Sequence, residues 1–262
     1  MSRSGSSFPA ASRLGVNIDH VATLRQLRGT PYPSLVEAAR IVETAGGEQI
    51  TIHLREDRRH IQDQDVVDLR KSLKVMMNLE MAATDAMVKI ATKIKPEWVC
   101  LVPEKRTEVT TEGGLDLKKN RSRMAKTIEK LKKAKIKVSL FVEPTVSVVT
   151  QSHDLGADAV ELHTGQYCLA TQGALGKKSA SRVKPEFERI EKAARHGVQL
   201  GLHVHAGHGF DYENVRSVAA LERSDRSALI EEFNIGHAIV CRAALVGMER
   251  AVREMIASIR AP

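Results

Sequence analysis

The sequence predicts an α/β fold, a (β/α)8 TIM barrel with extra short helices, and three observations predict it. The chain has 262 residues, enough for one such barrel, and no Pro/Gly/Ser-rich linker divides it. Short apolar runs alternate with amphipathic stretches along its length, which is the pattern of repeated βα units. The polar residues in those runs share one parity and gather toward their C-terminal ends.

Composition narrows the classes. Hydrophobic residues are 42% and charged residues 27%, values of a globular chain rather than a disordered one. Aromatics are only 3%, so the core is aliphatic and stacking platforms for single-stranded nucleic acid are scarce. The formal net charge of +8 fits nucleic acid, an anionic membrane surface or small anionic substrates. No apolar run is long enough for a membrane span, and the N-terminal MSRSGSSFPAASR (1–13) lacks the apolar segment of a secretory signal. It reads as a disordered tail, with 14–262 as a single barrel domain. Cys100, Cys168 and Cys241 match neither a disulfide framework nor a zinc site, so a reducing cytoplasmic setting is expected.

The eight expected strands, in order, are 14–18, 48–54, 74–80, 97–102, 136–142, 158–163, 198–204 and 231–235. The first sets Leu14, Val16 and Ile18 on one face and Asn17 and Asp19 on the other. ITIHL opposes Ile50, Ile52 and Leu54 to His53 and Arg55; the third opposes Val75, Met77 and Leu79 to Asn78 and Glu80. On the sixth, Val160 and Leu162 oppose Glu161 and His163, and on the seventh Leu200, Leu202 and Val204 oppose His203 and His205. In a parallel barrel one parity faces the helices and the other the lumen, so the aliphatic set is assigned outward and the polar set inward. Ionised groups in the lumen are tolerable near the open mouth, where such barrels carry their active sites.

Helices are expected at 33–46, 84–94, 182–197 and 247–260, with Pro33 opening the first and Gly46 and Gly47 ending it. A short extra helix, 236–245, follows the eighth strand, where such barrels bind phosphate. The basic run 118–137 carries Met124, Ile128 and Leu131 at helical spacing and reads as a solvated outer helix in preference to an RNA-binding surface.

Of the ten histidines, all but His153 and His196 fall at strand ends or in the loops that follow them. A lone histidine there is usually structural; a convergent group points to proton transfer. The glycine turns AGHGF (206–210) and NIGHAI (234–239) let backbone approach a phosphate. The loop PEKRTEVTTEGGLD (103–116) reads as a lid with Gly113 and Gly114 as its hinge.

These motifs together resemble one family, the pyridoxine 5'-phosphate synthases of the deoxyxylulose phosphate-dependent route to vitamin B6. GVNIDHVATLRQLRGT, ITIHLREDRRHI, MNLEMA, LVPEKRTEVTTEGGLD, ELHTGQYC, AGHGFDYENV and FNIGHAIVCRA carry the resemblance from residue 15 to about 245. It implies condensation of 3-amino-2-oxopropyl phosphate with 1-deoxy-D-xylulose 5-phosphate to pyridoxine 5'-phosphate, phosphate and water. It further implies that Asn17, Arg28, Gly209, Gly236 and His237 bind the amino-ketone phosphate, and Asp19, His20, Arg55, His60 and Thr110 the deoxyxylulose phosphate. His53 and Glu80 resemble the family's proton acceptors, His208 its proton donor and Glu161 its stabiliser of cationic intermediates. The family uses no metal or organic cofactor and forms homo-octamers. Where its pattern has VNAGHG this chain has VHAGHG, placing His205 at the asparagine position, a change expected to perturb His208 or to fill the same role. Cys241, where a small residue is common, is expected to be a packing change.

Two rivals stay open on the residues themselves. A metal-dependent barrel hydrolase would use the pair His203 and His205 with Glu161 and Asp19, and a chelator would abolish it. A non-catalytic RNA-binding module would use the 118–137 run, with a steep salt dependence.

Overall fold

Eight strands, β1 (Arg13–Asn17), β2 (Gln49–His53), β3 (Met76–Met81), β4 (Trp98–Leu101), β5 (Lys137–Val142), β6 (Ala159–His163), β7 (His203–Gly207) and β8 (Glu232–Ile235), pair in parallel in sequence order, and β8 returns to β1 to close the barrel. The computed structural model describes residues 11–105, 108, 110, 113–119, 121–172 and 180–260. The helices between strands are α1 (Asp19–Arg28), α2 (Leu35–Ala45), α3 (Asp63–Ser72), α4 (Asp85–Ile94), α5 (Arg121–Lys133), α6 (Val146–Asp154), α7 (Gly165–Gln172), α8 (Ala180–Gln199) and α9 (Asn214–Ala219). After β8 come α10 (His237–Val246), the extra helix, and α11 (Met248–Arg260). Of the tail expected over 1–13, residues 1–10 lie outside the described residues, but Ser12 is buried with its hydroxyl donating to the Ile230 carbonyl at 2.7 Å and Arg13 already opens β1, so the barrel begins inside the expected tail. No described helix is long and apolar enough to cross a membrane.

The outward parity is as the alternation requires. Val16, Ile18, Ile50, Ile52, Leu54, Met77 and Leu79 have no exposure beneath the helix layer. Each such side chain contributes about 1.5–3 kcal/mol of burial. Ser34 caps α2 by accepting from the Glu37 N–H, and Gly46 ends it with φ of 98°. Helix α5 buries Met124, Thr127, Ile128 and Leu131 and leaves its lysines outside, the solvated-helix reading of that basic run.

The inward parity builds a hydrogen-bonded polar lumen. The Gln49 amide donates to Glu232 at 2.6 Å, the Thr51 hydroxyl to Asn234 at 2.8 Å, and the Asn234 amide to Glu161 at 2.9 Å. Gly15 makes room for this, since a Cβ there would lie 2.2 Å from Asn234 Oδ1.

One strand sits later than the alternation places it. Residues 198–204 look extended, yet α8 runs to Gln199, and the chain turns at Gly201, whose φ is +80°. Val198 and Leu200 pack against the core from the helix end, and β7 begins only at His203. His203 is therefore at the N-terminal floor of the barrel, not at its mouth.

Candidate active site

The strand ends and the turns after them enclose a cleft of about 600 Å³ at the C-terminal mouth. Asn17, Asp19, His20, His53, Glu80, Glu161, His208, Gly209, Gly236 and His237 all line it. The polar parity brought most of these together: each inward position at the end of a strand adds one group to the same space.

At the centre are three carboxyl groups. Asp19 accepts from the Asn17 amide, 3.0 Å from its Oδ2, and from the His53 N–H at 2.9 Å. Burial pushes its carboxyl up to about 6, against the pull of those bonds. Glu161 is pushed up to about 7 by burial and then by the charge of Glu232. Burial also raises Glu80 well above the usual carboxylate range, and the charges of Glu161 and Asp19 add to it. Among the described residues no arginine or lysine lines this cleft, so proton uptake is what relieves the crowding of like charge.

His53 stands between two of the site's acids. Its Nδ1 is 4.0 Å from Glu80 Oε2, and its Nε2 is 3.0 Å from Glu104 Oε1. Glu104 was not singled out in the sequence. Burial opposes its ionisation, but hydrogen bonds from His53 and the Glu56 N–H outweigh that and hold it below the usual range. Asn234 was also missed, although it has the inward parity of β8 and orients Glu161.

His208 caps β7 at the opposite wall with φ of 73°, a left-handed backbone that a non-glycine residue adopts at a cost of about 1–3 kcal/mol. The Thr164 hydroxyl, 2.8 Å from the Gly207 carbonyl and 3.0 Å from that of His208, holds the turn in place. Burial, and then the charge of His163 beside it, hold His208 below the usual imidazole range. His20 is lowered by burial and by His237, whose ring centroid is 5.0 Å away.

Anion-binding geometry sits along one side. Gly236 precedes α10, and a Cβ there would lie 2.8 Å from the Asn17 carbonyl. The first N–H groups of α10 thus open into the cleft beside His237 and Ala238. Gly209, with φ of +103°, approaches Cys168 so closely that a Cβ would be 2.8 Å from its Cβ.

Four residues named by motif stand outside this lining. Arg55 is turned to Asp57, with contacts of 3.0 and 3.1 Å, and the His60 ring lies 6.1 Å from that of His53 while accepting the Ile61 N–H. Burial, then the charge of His53, lowers His60 to about 4. Thr110 is bonded to Glu143 at 3.3 Å, and Arg28 is exposed in the last turn of α1. Arg58 and Arg59 stitch the loop after β2 to Asp63 and Asp57.

The loop expected to be a lid has Arg106, Thr107, Val109, Thr111 and Glu112 outside the described residues. Gly114 is anchored rather than free: a Cβ would lie 2.7 Å from the Glu143 nitrogen, and its N–H donates to Glu143 at 2.9 Å. Close approach to the backbone at Glu143 requires glycine there.

Two histidines were misplaced by sequence reasoning. His203 pairs with Glu231 at 2.7 Å on the floor, and His205 lies in the lumen 3.6 Å from Glu232 and edge-on to Trp98 at 5.1 Å. They engage separate carboxylates and do not join Asp19 and Glu161, which removes the ligand set of the hydrolase rival. His205 contacts neighbours below the mouth rather than His208. Asp19, His53 and Glu80 do lie close enough to share an ion, with ligand atoms within 4.8 Å of one another. Cys241 is exposed, its sulfur 3.5 Å from His237 Nε2, so it is not a packing substitution.

Comparison with known proteins adds three findings. The family model described as pyridoxal phosphate biosynthesis protein PdxJ matches residues 14–261. A pyridoxine 5'-phosphate synthase of Syntrophotalea carbinolica is 54% identical over 242 residues, 92% of this chain and 96% of that one. Another, of Trichlorobacter lovleyi, is 52% identical over 251 residues, 96% of this chain and the whole of that one. Among solved structures, the 3-keto-L-gulonate-6-phosphate decarboxylase of Vibrio cholerae superposes with a TM-score of 0.60 at 13% identity, covering 95% of this chain and 98% of that one, a likeness of fold.

Proposed function

The chain belongs to the PdxJ family and has its pyridoxine 5'-phosphate synthase activity, and we propose which of its residues carry that activity and in what roles. The reaction joins 3-amino-2-oxopropyl phosphate to 1-deoxy-D-xylulose 5-phosphate with release of phosphate and water. An amine must attack a ketone, a carbinolamine lose water, a phosphate depart and a carbon–carbon bond close the ring. Protons therefore move repeatedly at different atoms.

The observation that supports the assignment is an acid cluster that favours its protons, facing two lowered histidines across one cleft. Burial favours the protonated forms of Asp19, Glu80 and Glu161, the charges of Glu161 and Asp19 adding to it at Glu80 and that of Glu232 at Glu161. The ammonium group of the amino ketone supplies a countercharge, favours the carboxylate forms, and frees Glu80 and His53 to take protons. Glu161, held by Asn234, then opposes the positive charge of iminium intermediates. His208 returns a proton to the departing oxygen. Neutral His20 and His208 can each accept a proton before giving it back.

The amino-ketone phosphate would be held by Asn17, Gly209, Gly236 and His237 at the α10 N-terminus, with Arg28. Asp19, His20, Arg55, His60 and Thr110 would hold the deoxyxylulose phosphate, and Arg55 would exchange Asp57 for the phosphate. No metal and no organic cofactor is assigned a role. The acting unit is the barrel domain 14–262, in the cytoplasm, as a homo-octamer. Support for assembly comes from Leu24, Leu27 and Tyr32, exposed by 52%, 71% and 67% around Arg28. Light scattering that returns a monomer would overturn the assembly.

The deciding experiment mixes the two phosphorylated substrates with purified protein in chelated buffer. Pyridoxine 5'-phosphate should accumulate with one equivalent of inorganic phosphate; activity that needs added zinc would overturn the residue roles.

A further inference from the structure

A buried carboxylate outside these roles connects the loop bearing Thr110 to His208. Glu143 is the first residue after β5, and it is 6% exposed. Three donors converge on its Oε1: the Gly114 N–H at 2.9 Å, the Thr110 hydroxyl at 3.3 Å and His163 Nδ1 at 3.3 Å. Its other oxygen is 3.8 Å from the Arg189 guanidinium. Since a carboxylate oxygen with these neighbours only accepts, His163 must carry a proton on Nδ1.

His163 is itself held on several sides. Its ring centroid lies 4.8 Å from that of His208 and 5.1 Å from that of Phe141. Gly113 and Gly165 close on it so tightly that Cβ atoms there would lie 3.0 Å from His163 Cε1 and 2.8 Å from His163 Nε2. The contacts form one continuous path: Thr110 and Gly114 to Glu143, Glu143 to His163, His163 to His208.

We propose that Glu143 is a positioning residue: it fixes the tautomer and orientation of His163, which sets the ring of His208, and it fastens the loop that presents Thr110 to the sugar phosphate. This rests on the roles given above to His208 and Thr110. Because one oxygen serves both functions, it couples sugar-phosphate binding to proton transfer at His208. The loop end and the imidazole cannot shift independently without breaking a charge-assisted bond.

Steady-state kinetics on Glu143→Ala, Glu143→Gln, His208→Ala and the Glu143→Ala/His208→Ala double variant, each with its thermal midpoint, test this. Glu143→Ala should lower kcat on the order of tenfold, the scale of one lost orienting bond, and raise KM for deoxyxylulose phosphate while KM for the amino ketone stays put. Glu143→Gln keeps an acceptor oxygen and should recover part of both effects. In the His208→Ala background, Glu143→Ala should cost no further kcat yet still raise the sugar-phosphate KM. Additive losses in kcat, equal rises in both KM values, or wild-type kinetics with a lowered thermal midpoint would each overturn the proposal. If Glu143→Ala does not fold, Glu143→Gln decides alone: wild-type kcat and KM would overturn it. An enzyme indifferent to His208→Ala would instead overturn the role of His208.

Discussion

The mouth and the floor of this barrel are built from the same residue types and behave oppositely. At the floor Glu231 meets His203 at 2.7 Å and Arg223 at 2.7 Å, and Glu232 meets Arg13 at 3.3 Å. Each of these two acids has a cationic partner. At the mouth Asp19, Glu80 and Glu161 have imidazoles and amides near them, but among the described residues no guanidinium or ammonium lines the cleft. Burial acts on both ends alike; pairing decides the result. Hydrogen bonds from His203 and Arg223 overcome burial and keep Glu231 below the usual carboxylate range, whereas burial prevails at Glu161 and lifts it to about 7. An acid with a fixed partner holds structure, and one whose partner is to come with the substrate is available for chemistry.

The largest effect expected from that contrast is kinetic. His53→Ala or Glu80→Gln should lower kcat by roughly 10²- to 10⁴-fold, the range for a general acid or base, with the thermal midpoint little changed. Kinetics and thermal unfolding on the same samples check it; parallel loss of both would make the mouth a second structural layer. The converse holds below. Arg223→Ala leaves Glu231 buried with less countercharge and should cost about 3–5 kcal/mol by denaturant unfolding, while kcat of the folded fraction is unchanged.

Next in size is a difference of sign with pH. The folded chain keeps the Glu161 proton that the unfolded chain releases above its ordinary carboxyl pKa. Stability from this group is therefore full at acid pH and falls as pH rises from about 4.5 to about 7, with a limiting slope of about 1.4 kcal/mol for each pH step of one. Asp19, raised to about 6, acts in the same direction, whereas Glu231 acts in the other, losing its stabilisation as pH falls. Glu161→Gln should flatten the decline without changing the acid limb. Urea midpoints between pH 4 and 8 measure it, and an unchanged slope would mean that Glu161 is ionised throughout.

The sequence exposed this division unevenly, for physical reasons. Strand alternation has period two and fixes inward and outward faces, so Asn17, His53, Glu80 and Glu161 were legible as one convergent set. Asn234 obeys the same parity within β8 and Glu143 one residue beyond β5, so the rule applied along β8 and carried one residue past β5 finds them. Height along the barrel is another matter. Alternation says which way a side chain points, not which end it is near, and His203 was misplaced because the end of α8 mimics a strand at 198–202. Arg55 was given the inward parity, but β2 ends at His53 and Arg55 turns to Asp57; loop residues such as His60 and Thr110 have no period at all, and their positions depend on contacts with Ile61 and Glu143.

His205 tests the boundary between the two ends with the smallest expected effect. By sequence it belongs to the turn that carries His208; by contact it belongs to the floor, with Glu232 at 3.6 Å and Trp98 at 5.1 Å. Its Nε2 is buried without a hydrogen-bond partner among the described residues. Restoring the asparagine of the family pattern, His205→Asn, removes an aromatic pair of about 0.5–1.5 kcal/mol and relieves an orphaned nitrogen that costs about 1–3 kcal/mol. The two effects oppose, so the net change in unfolding free energy should stay within about 1 kcal/mol, and kcat should stay within about twofold at every pH. A shifted pH profile of kcat with unchanged stability would place His205 with the mouth and move the boundary down by one layer of the barrel.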